Sequence, residues 1–369
     1  LYCFINKRIK FIMAYTTINK SSLHMNTKLF TGNGGTNAQT GVGFQPDLLW
    51  FKNRNSAINH MWFDSVRGIN KAILPNAANA ETTYTDSVTA FNSDGFTLGD
   101  DDEGQCNVDG NACVSWNWKA GTTFSNDASS TGVGSIDSAG SVSTDAGFSI
   151  IKYTGTGTAG TIAHGLAQKP TFIIVKEISG NGVDNWKLQH SSTGAGALPG
   201  SLNLTDVTSA TGSTWNSAEP TSAVFSIGTA TSVNTSSAVY ICYIFSDKQG
   251  YSKTGSFEGN GNANGPFIYT GFKPAFVLIK NIDATKDWKI IDNKRNPAGL
   301  GGANPVRYRL AANTTAATSD DGDGQDFTSQ GFKIRTTDSH MNTNANTHVY
   351  VAFAENPFVT STGVPATAR

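Results

Sequence analysis

One phrase is written three times along this chain, and it constrains the fold more than any other feature. It reads "VGFQPDLLWFKN" at 42–53, "HGLAQKPTFIIVKE" at 164–177 and "TGFKPAFVLIKN" at 270–281. Aligned on Pro46, Pro170 and Pro274, each phrase reaches a lysine six residues later, at Lys52, Lys176 and Lys280. Tryptophan follows each lysine, Trp62 and Trp186 after ten residues and Trp288 after eight. Upstream stand "FTGNG" (30–34), "YTGTG" (153–157) and "FEGNG" (257–261). Downstream stand "DGFTLG" (94–99), "AVFSIG" (223–228) and "QGFKIR" (330–335), and each unit closes on an apolar run: "CVSWNW", "YICYIF" or "YVAFAE". The prolines lie 124 and 104 residues apart, far beyond the ~20–50-residue period of solenoids and propellers. The spacing is that of whole domains, which places repeats at 26–120, 147–250 and 251–358.

Inside a repeat the phrase reads as strand. "PDLLWFK", "PTFIIVK" and "PAFVLIK" are rich in β-branched and aromatic residues and apolar on both faces, the pattern of a strand buried on both sides. Proline at the entrance removes a donor before the ladder begins, and the glycine ahead of it supplies a turn conformation that a side chain resists. Lysine at the exit is expected to carry the chain back to water while its stem still packs. About five to eight such strands per repeat, separated by Gly/Asn/Asp turns, predict an all-β fold: three tandem antiparallel β-sandwich domains, jelly-roll-like. The 39 glycines and a charged content of 15% agree, and they argue against long helices. Residues 121–146 have the Ser/Thr/Gly composition of a linker. Residues 1–25 read as an N-terminal extension, of which 1–12 precede a more ordinary start at Met13, and 359–369 read as a tail.

A formal net charge of -1 gives no global field to recruit nucleic acid or an anionic membrane. No stretch approaches the ~18 consecutive apolar residues of a membrane span, so neither partner is expected. The opening "LYCFINKRIKFIMAY" lacks the apolar core of a secretory signal. Four cysteines include no C-x-x-C, so zinc spacing is absent. Cys113 and Cys242 lie in apolar strands and read as reduced core thiols; a Cys106–Cys113 bridge across a hairpin is the alternative.

Candidate chemistry is thin. The stretch "SDGFTLGDDDEGQ" gathers Asp94, Asp100, Asp101, Asp102 and Glu103, and "SDDGDGQD" places Asp321, Asp323 and Asp326 around two glycines. Clustered carboxylates on a turn suit a hard cation such as calcium; solvated loop tips are the plainer reading, and Asp321, Asp323 and Asp326 are the better metal candidates. Trp62, Trp186 and Trp288 are expected in the core, with Trp118 the less constrained aromatic. His164 replaces Val42 and Thr270 of the other phrases and reads as a turn residue, since a catalytic base needs a positioned partner. There is no G-x-S-x-G, H-E-x-x-H or Walker loop. Composition alone leaves a glycan-cleaving carboxylate pair open, but no catalytic residue and no cofactor is assigned.

The start "MAYTTINKSSLHMNTKLFTGNG", the "GFQPDLLWFKNR" phrase and the following "FDSVRG" resemble a domain common in tail and structural proteins of marine bacteriophages. "GFSIIKYTGTGTAGTIAHGLAQKPTFIIVKE" is similar to another phrase frequent in those proteins, and the resemblance extends over 13–355. It implies a virion-associated β-sandwich protein of a tail fibre, appendage or surface decoration. The implied partners are other virion proteins, further copies of the chain (a trimer favoured) and a host glycan or surface protein. It implies no catalytic residues. The second repeat lacks the full "SDGF" phrase, which separates it from the other two. A secreted bacterial carbohydrate-binding or adhesion protein is the alternative.

Overall fold

The three phrases form strands buried along both faces, as their composition predicts. A computed structural model describes residues 15–102, 104–180, 184–195, 197–198, 200–210, 212–296 and 304–365. The first repeat supplies β1 (Met25–Thr31), β2 (Asn37–Gln39), β3 (Leu48–Asn53), β4 (Met61–Asp64), β5 (Gly68–Ile73), β6 (Thr82–Thr83), β7 (Val88–Asn92), β8 (Gly95–Leu98) and β9 (Ala112–Trp118). Next come β10 (Thr122–Asn126) and β11 (Ser138–Ser143). The second repeat supplies β12 (Phe148–Thr154), β13 (Gly160–Ala163), β14 (Phe172–Ser179), β15 (Lys187–His190), β16 (Ala197–Leu198), β17 (Ser209–Ala210), β18 (Val224–Ile227) and β19 (Val239–Phe245). The third supplies β20 (Ser252–Glu258), β21 (Phe267–Tyr269), β22 (Phe272–Asn281), β23 (Lys289–Asp292), β24 (Val306–Ala311), β25 (Ser319–Thr328), β26 (Gly331–Ile334) and β27 (Thr347–Pro357).

The strand order repeats with the sequence. In each repeat the first strand pairs with the last, the last with the phrase strand, and the phrase strand with its hairpin partner. This gives β1-β9-β3-β4, β12-β19-β14-β15 and β20-β27-β22-β23, all antiparallel. A smaller layer carries the "GF" strand: β2-β8-β7 in the first repeat, β13-β18 in the second, and β25-β26-β21 in the third, where it continues the large sheet.

Alternation along the phrase strand divides its side chains between two cores. Leu49 and Phe51, Ile173 and Val175, and Val277 and Ile279 each fill the sandwich of their own repeat. Leu48 and Trp50, Phe172 and Ile174, and Phe276 and Leu278 point the other way, into one cluster shared by all three repeats. The repeats therefore pack around a common core in addition to closing each on its own. Trp118, Phe245 and Phe353 sit opposite Leu48, Phe172 and Phe276 in the three ladders and meet there, with ring centroids 5.6 Å apart for Trp118–Phe353 and for Phe245–Phe353. A void of about 20 Å³ remains among these side chains. It could take one water by size, but its lining is wholly apolar and offers that water no hydrogen bond.

Three expectations are corrected. Residues 121–146 are not a linker: β10 and β11 pair with each other and with β12, widening the second sheet. Their low apolar content reflects an outer position, where most of β10 is open to solvent. Gly140 packs so closely on Ile150 that a Cβ would lie 1.8 Å from its carbonyl oxygen, which explains a glycine inside a strand. Trp118 is 3% exposed and belongs to the shared core. The phrase lysines do not return to water; Lys52, Lys176 and Lys280 are buried. Residues 1–12 lie outside the described residues.

Candidate functional site

The conspicuous polar groups of the chain sit between the repeats. Hairpin ladders end at Phe51↔Met61, Val175↔Lys187 and Ile279↔Lys289. The next residue across from each phrase lysine is therefore His60, Trp186 or Trp288. His60, not Trp62, is the structural counterpart of the two later tryptophans. Each is held by the same asparagine lock. His60 N–H donates to Asn76 Oδ1 (2.8 Å), Trp186 N–H to Asn203 Oδ1 (3.1 Å) and Trp288 N–H to Asn313 Oδ1 (3.0 Å). The asparagine amides in turn donate to Asn59, Asn185 and Asp287.

Every ring then reaches the neighbouring repeat. Trp186 Nε1 donates to Leu74 O and Ala77 O of the first repeat (3.0 and 2.9 Å), and Trp288 Nε1 donates to Ser201 O of the second (3.0 Å). His60 Nε2 lies 3.1 Å from Ala311 O of the third. Leu74, Ser201 and Ala311 each precede a lock asparagine by two residues, so the three contacts close a ring with one geometry.

A second ring runs beside the first. Asp64 pairs with Arg67, and Asp292 with Arg295, both pairs buried. Tyr243 of the second repeat donates to Asp64 Oδ2 (2.6 Å), and Trp116 of the first donates to Asp292 Oδ2 (3.0 Å). The Arg295 guanidinium also lies 5.4 Å from the Trp116 ring centre. In the second repeat His190 takes the aspartate's position and bonds to Tyr350 O (3.1 Å). The phrase lysines share this work. Lys176 Nζ donates to Ala78 O and Asp184 O, and Lys280 Nζ to Thr205 O, Asn281 O and Lys286 O; Lys52 stays within its repeat, on Asn53 O and Ser56 O. Desolvation holds all three ammonium groups down to about 8.

The glycine scraps "GNG" and "GTG" serve a third repeated device. Asn107, Asn234 and Asn342 each receive the N–H between the two glycines, at Asn33, Thr156 and Asn260, and donate back across the loop. A Cβ on Gly32, Gly155 or Gly259 would lie 2.1–2.2 Å from a backbone oxygen.

The predicted acid groups scatter. Asp94 caps the phrase glycine, accepting from Gly41 N and Gly43 N, which holds its carboxyl below the usual range. Asp101 is buried and accepts from Ser87, Cys106 N and Asn107 N. Asp100 and Asp102 join Asp86, with carboxylate oxygens within 4.8 Å of one another; these three are placed to take a cation together. Glu103 lies outside the described residues. Asp321, Asp323 and Asp326 fall along β25 instead of a loop tip. Asp326 lies 3.5 Å from Arg335, and the side chains of Asp321 and Asp323 lie outside the described residues.

His164 is a buried turn residue, as expected: its Nδ1 accepts from Leu166 N, its Nε2 faces Thr221 O, and burial holds it down to about 4. His340 went unremarked in sequence. Its nitrogens lie 2.9 Å from Asp338 and 3.2 Å from Asp287, which raise its pKa. With a carboxylate beside each nitrogen, both ring nitrogens are already engaged within the protein. Cys106, Cys113 and Cys242 are buried and unbridged, their thiols pushed up by burial.

Accessible character concentrates elsewhere. A cleft of about 360 Å³ lies where the second repeat meets the third, walled by Tyr15, Asp247, Gln249, Lys253 and Tyr269. The Tyr15 hydroxyl donates to Gly271 O (2.6 Å), and burial with the neighbouring Tyr269 pushes its pKa up to about 12. In sequence, only the alternation in "FIYTG" hinted at an exposed aromatic edge. Among the described residues no helix is long and apolar enough to cross a membrane.

Residues 20–357 match a family described as "Domain of unknown function (DUF7483)". No curated protein and no solved structure matches the chain.

Proposed function

The chain belongs to the DUF7483 family, and on the sequence resemblance we propose that it is a non-enzymatic virion structural protein, a tail-fibre, appendage or surface-decoration component. It would assemble on the particle with further copies and other virion proteins, work without a cofactor, and present its exposed loops and edges to a host glycan or surface protein. The observation that supports this best is where the polar chemistry goes. His60, Trp186, Trp288, Asp64, His190 and Asp292 all serve contacts between repeats. Side chains that an enzyme would aim at a substrate are here committed to holding one body together. The phage context comes from the sequence resemblance.

The test is to purify particles and locate the chain on them by electron microscopy with a specific antibody fragment. Labelling at a tail or surface position is expected, and a solution mass of three times the 39.0 kDa chain would accompany trimeric assembly. Absence from particles would sink the reading. The exposed aromatics beside the cleft favour one alternative, a secreted carbohydrate-binding protein, which that absence would promote.

A further inference from the structure

Three copies of one fold make the positions where they differ informative. Gln39, Ile162 and Ile268 are equivalent, because they pair with Phe96, Phe225 and Phe332 of the "GF" strands. The residues flanking them are Ala38 and Thr40 in the first repeat, Thr161 and Ala163 in the second, and Phe267 and Tyr269 in the third. Only the third copy puts aromatics there, and they are 49% and 58% exposed while Ile268 between them points inward. Their strand, β21, is the outer edge of its sheet, so no neighbouring strand covers them. Leaving these rings half in water forgoes part of the roughly 1.5–3 kcal/mol that full burial of each would supply, and it gives the third repeat an aromatic edge that the other two lack.

Tyr269 also walls the cleft of about 360 Å³, within the range of small-ligand sites. The opposite side is polar and fixed. Asp247 Oδ1 accepts from Thr254 N (2.8 Å), Thr254 Oγ1 (2.9 Å) and Thr171 Oγ1 (2.9 Å), while its Oδ2 lies 3.2 Å from Lys253 Nζ. An aromatic wall facing a preset carboxylate–ammonium pair and the Gln249 amide suits a ligand with one apolar face and a rim of hydroxyls. The pair cancels its own charge, so the cleft carries no net charge to select an ionic ligand. We propose that this cleft is a binding subsite for a neutral mono- or disaccharide, with Tyr269 as the stacking platform and Asp247, Lys253 and Gln249 as hydroxyl partners. The proposal rests on the surface-recognition part of the reading above.

The full chain is titrated by calorimetry and amide NMR with maltose, cellobiose, lactose and N,N′-diacetylchitobiose. At least one should bind with a Kd of about 1 mM or tighter and shift amides of 247–253 and 267–271. Tyr269→Ala should weaken that binding about tenfold or more with little change in thermal midpoint, since more than half of the residue is exposed; Gln249→Ala should weaken it less. Ala38→Ser, at the equivalent place in the first repeat, should change nothing. No binding by any of the four sugars up to about 10 mM, or binding indifferent to Tyr269→Ala, overturns the subsite. That failure is separable from the virion reading: a chain found on particles without sugar affinity loses only the subsite, and sugar affinity in a chain absent from particles loses only the virion role.

Discussion

Lys176 carries a contradiction that its surroundings resolve. An ammonium group out of water is costly, yet three equivalent lysines are buried here, each answered by backbone carbonyl oxygens. Desolvation lowers the folded-state pKa to about 8 from 10.5. The sign follows directly: between these values the unfolded chain holds a proton that the folded chain has lost, so this lysine's contribution to stability grows as pH rises from about 8 towards 10 and falls away as pH drops through 8. Lys176→Met should destabilise the protein by about 2 kcal/mol at pH 7, by stranding two carbonyls. The parent's advantage over the variant should widen by at most about 1.4 kcal/mol per pH unit above pH 8. Urea midpoints of both proteins at pH 7, 8 and 9.5 check it, and parallel pH profiles would refute the assignment. Sequence made these lysines visible as a repeated position but placed their heads in water, because snorkelling is the ordinary outcome. Carbonyls from a neighbouring repeat cannot be read from a local pattern.

At the scale of elements, hairpins and loops are locked by asparagine. Asn76, Asn203 and Asn313 brace equivalent hairpins, and Asn107, Asn234 and Asn342 brace equivalent glycine loops. One lock repeated three times should carry similar weight at each place. Asn76→Ala, Asn203→Ala and Asn313→Ala are each expected to cost about 1–3 kcal/mol, read from chemical denaturation; one silent site beside two costly ones would break the equivalence. Asp292→Ala should cost more, about 3–5 kcal/mol, because it leaves Arg295 buried without its partner. The phrase strands were legible because a run apolar on both faces has few other uses. The tryptophan alignment went astray for a physical reason. Trp62 is counted by spacing, but pairing register sets equivalence: the first and third hairpins reach the position eight residues after their lysine and the second after ten, which puts His60 there. Residues 121–146 misled in the opposite sense, since an outer strand needs few apolar side chains.

The whole molecule has three sandwich cores and a fourth cluster that belongs to no repeat alone. Trp50 and Trp116 of the first repeat, in contact with each other, both meet Phe276 of the third, which also meets Phe353 of its own repeat, in edge-to-face and tilted contacts at 5.4–6.4 Å. Calorimetry should therefore record one transition, with calorimetric and van't Hoff enthalpies equal; separate transitions for separate repeats would contradict the shared core. Sequence exposed the three copies but not this union, because the face a repeat turns to its siblings looks like the face it turns to its own sandwich. The surface cleft was the least legible part: it is assembled from Tyr15, residues 247–253 and Tyr269, far apart in the chain and plain in composition.

The ring of three like repeats lies on one continuous polypeptide, and that has a consequence for how the protein can change. Three identical chains around an axis must accept every mutation in triplicate and fall apart on dilution. Here closure is intramolecular, so dilution leaves the ring intact. Each copy also has its own codons. The third can acquire Phe267 and Tyr269 while the first keeps Ala38 and the second Thr161, so the surface of one sector is free to change while the other two hold the frame.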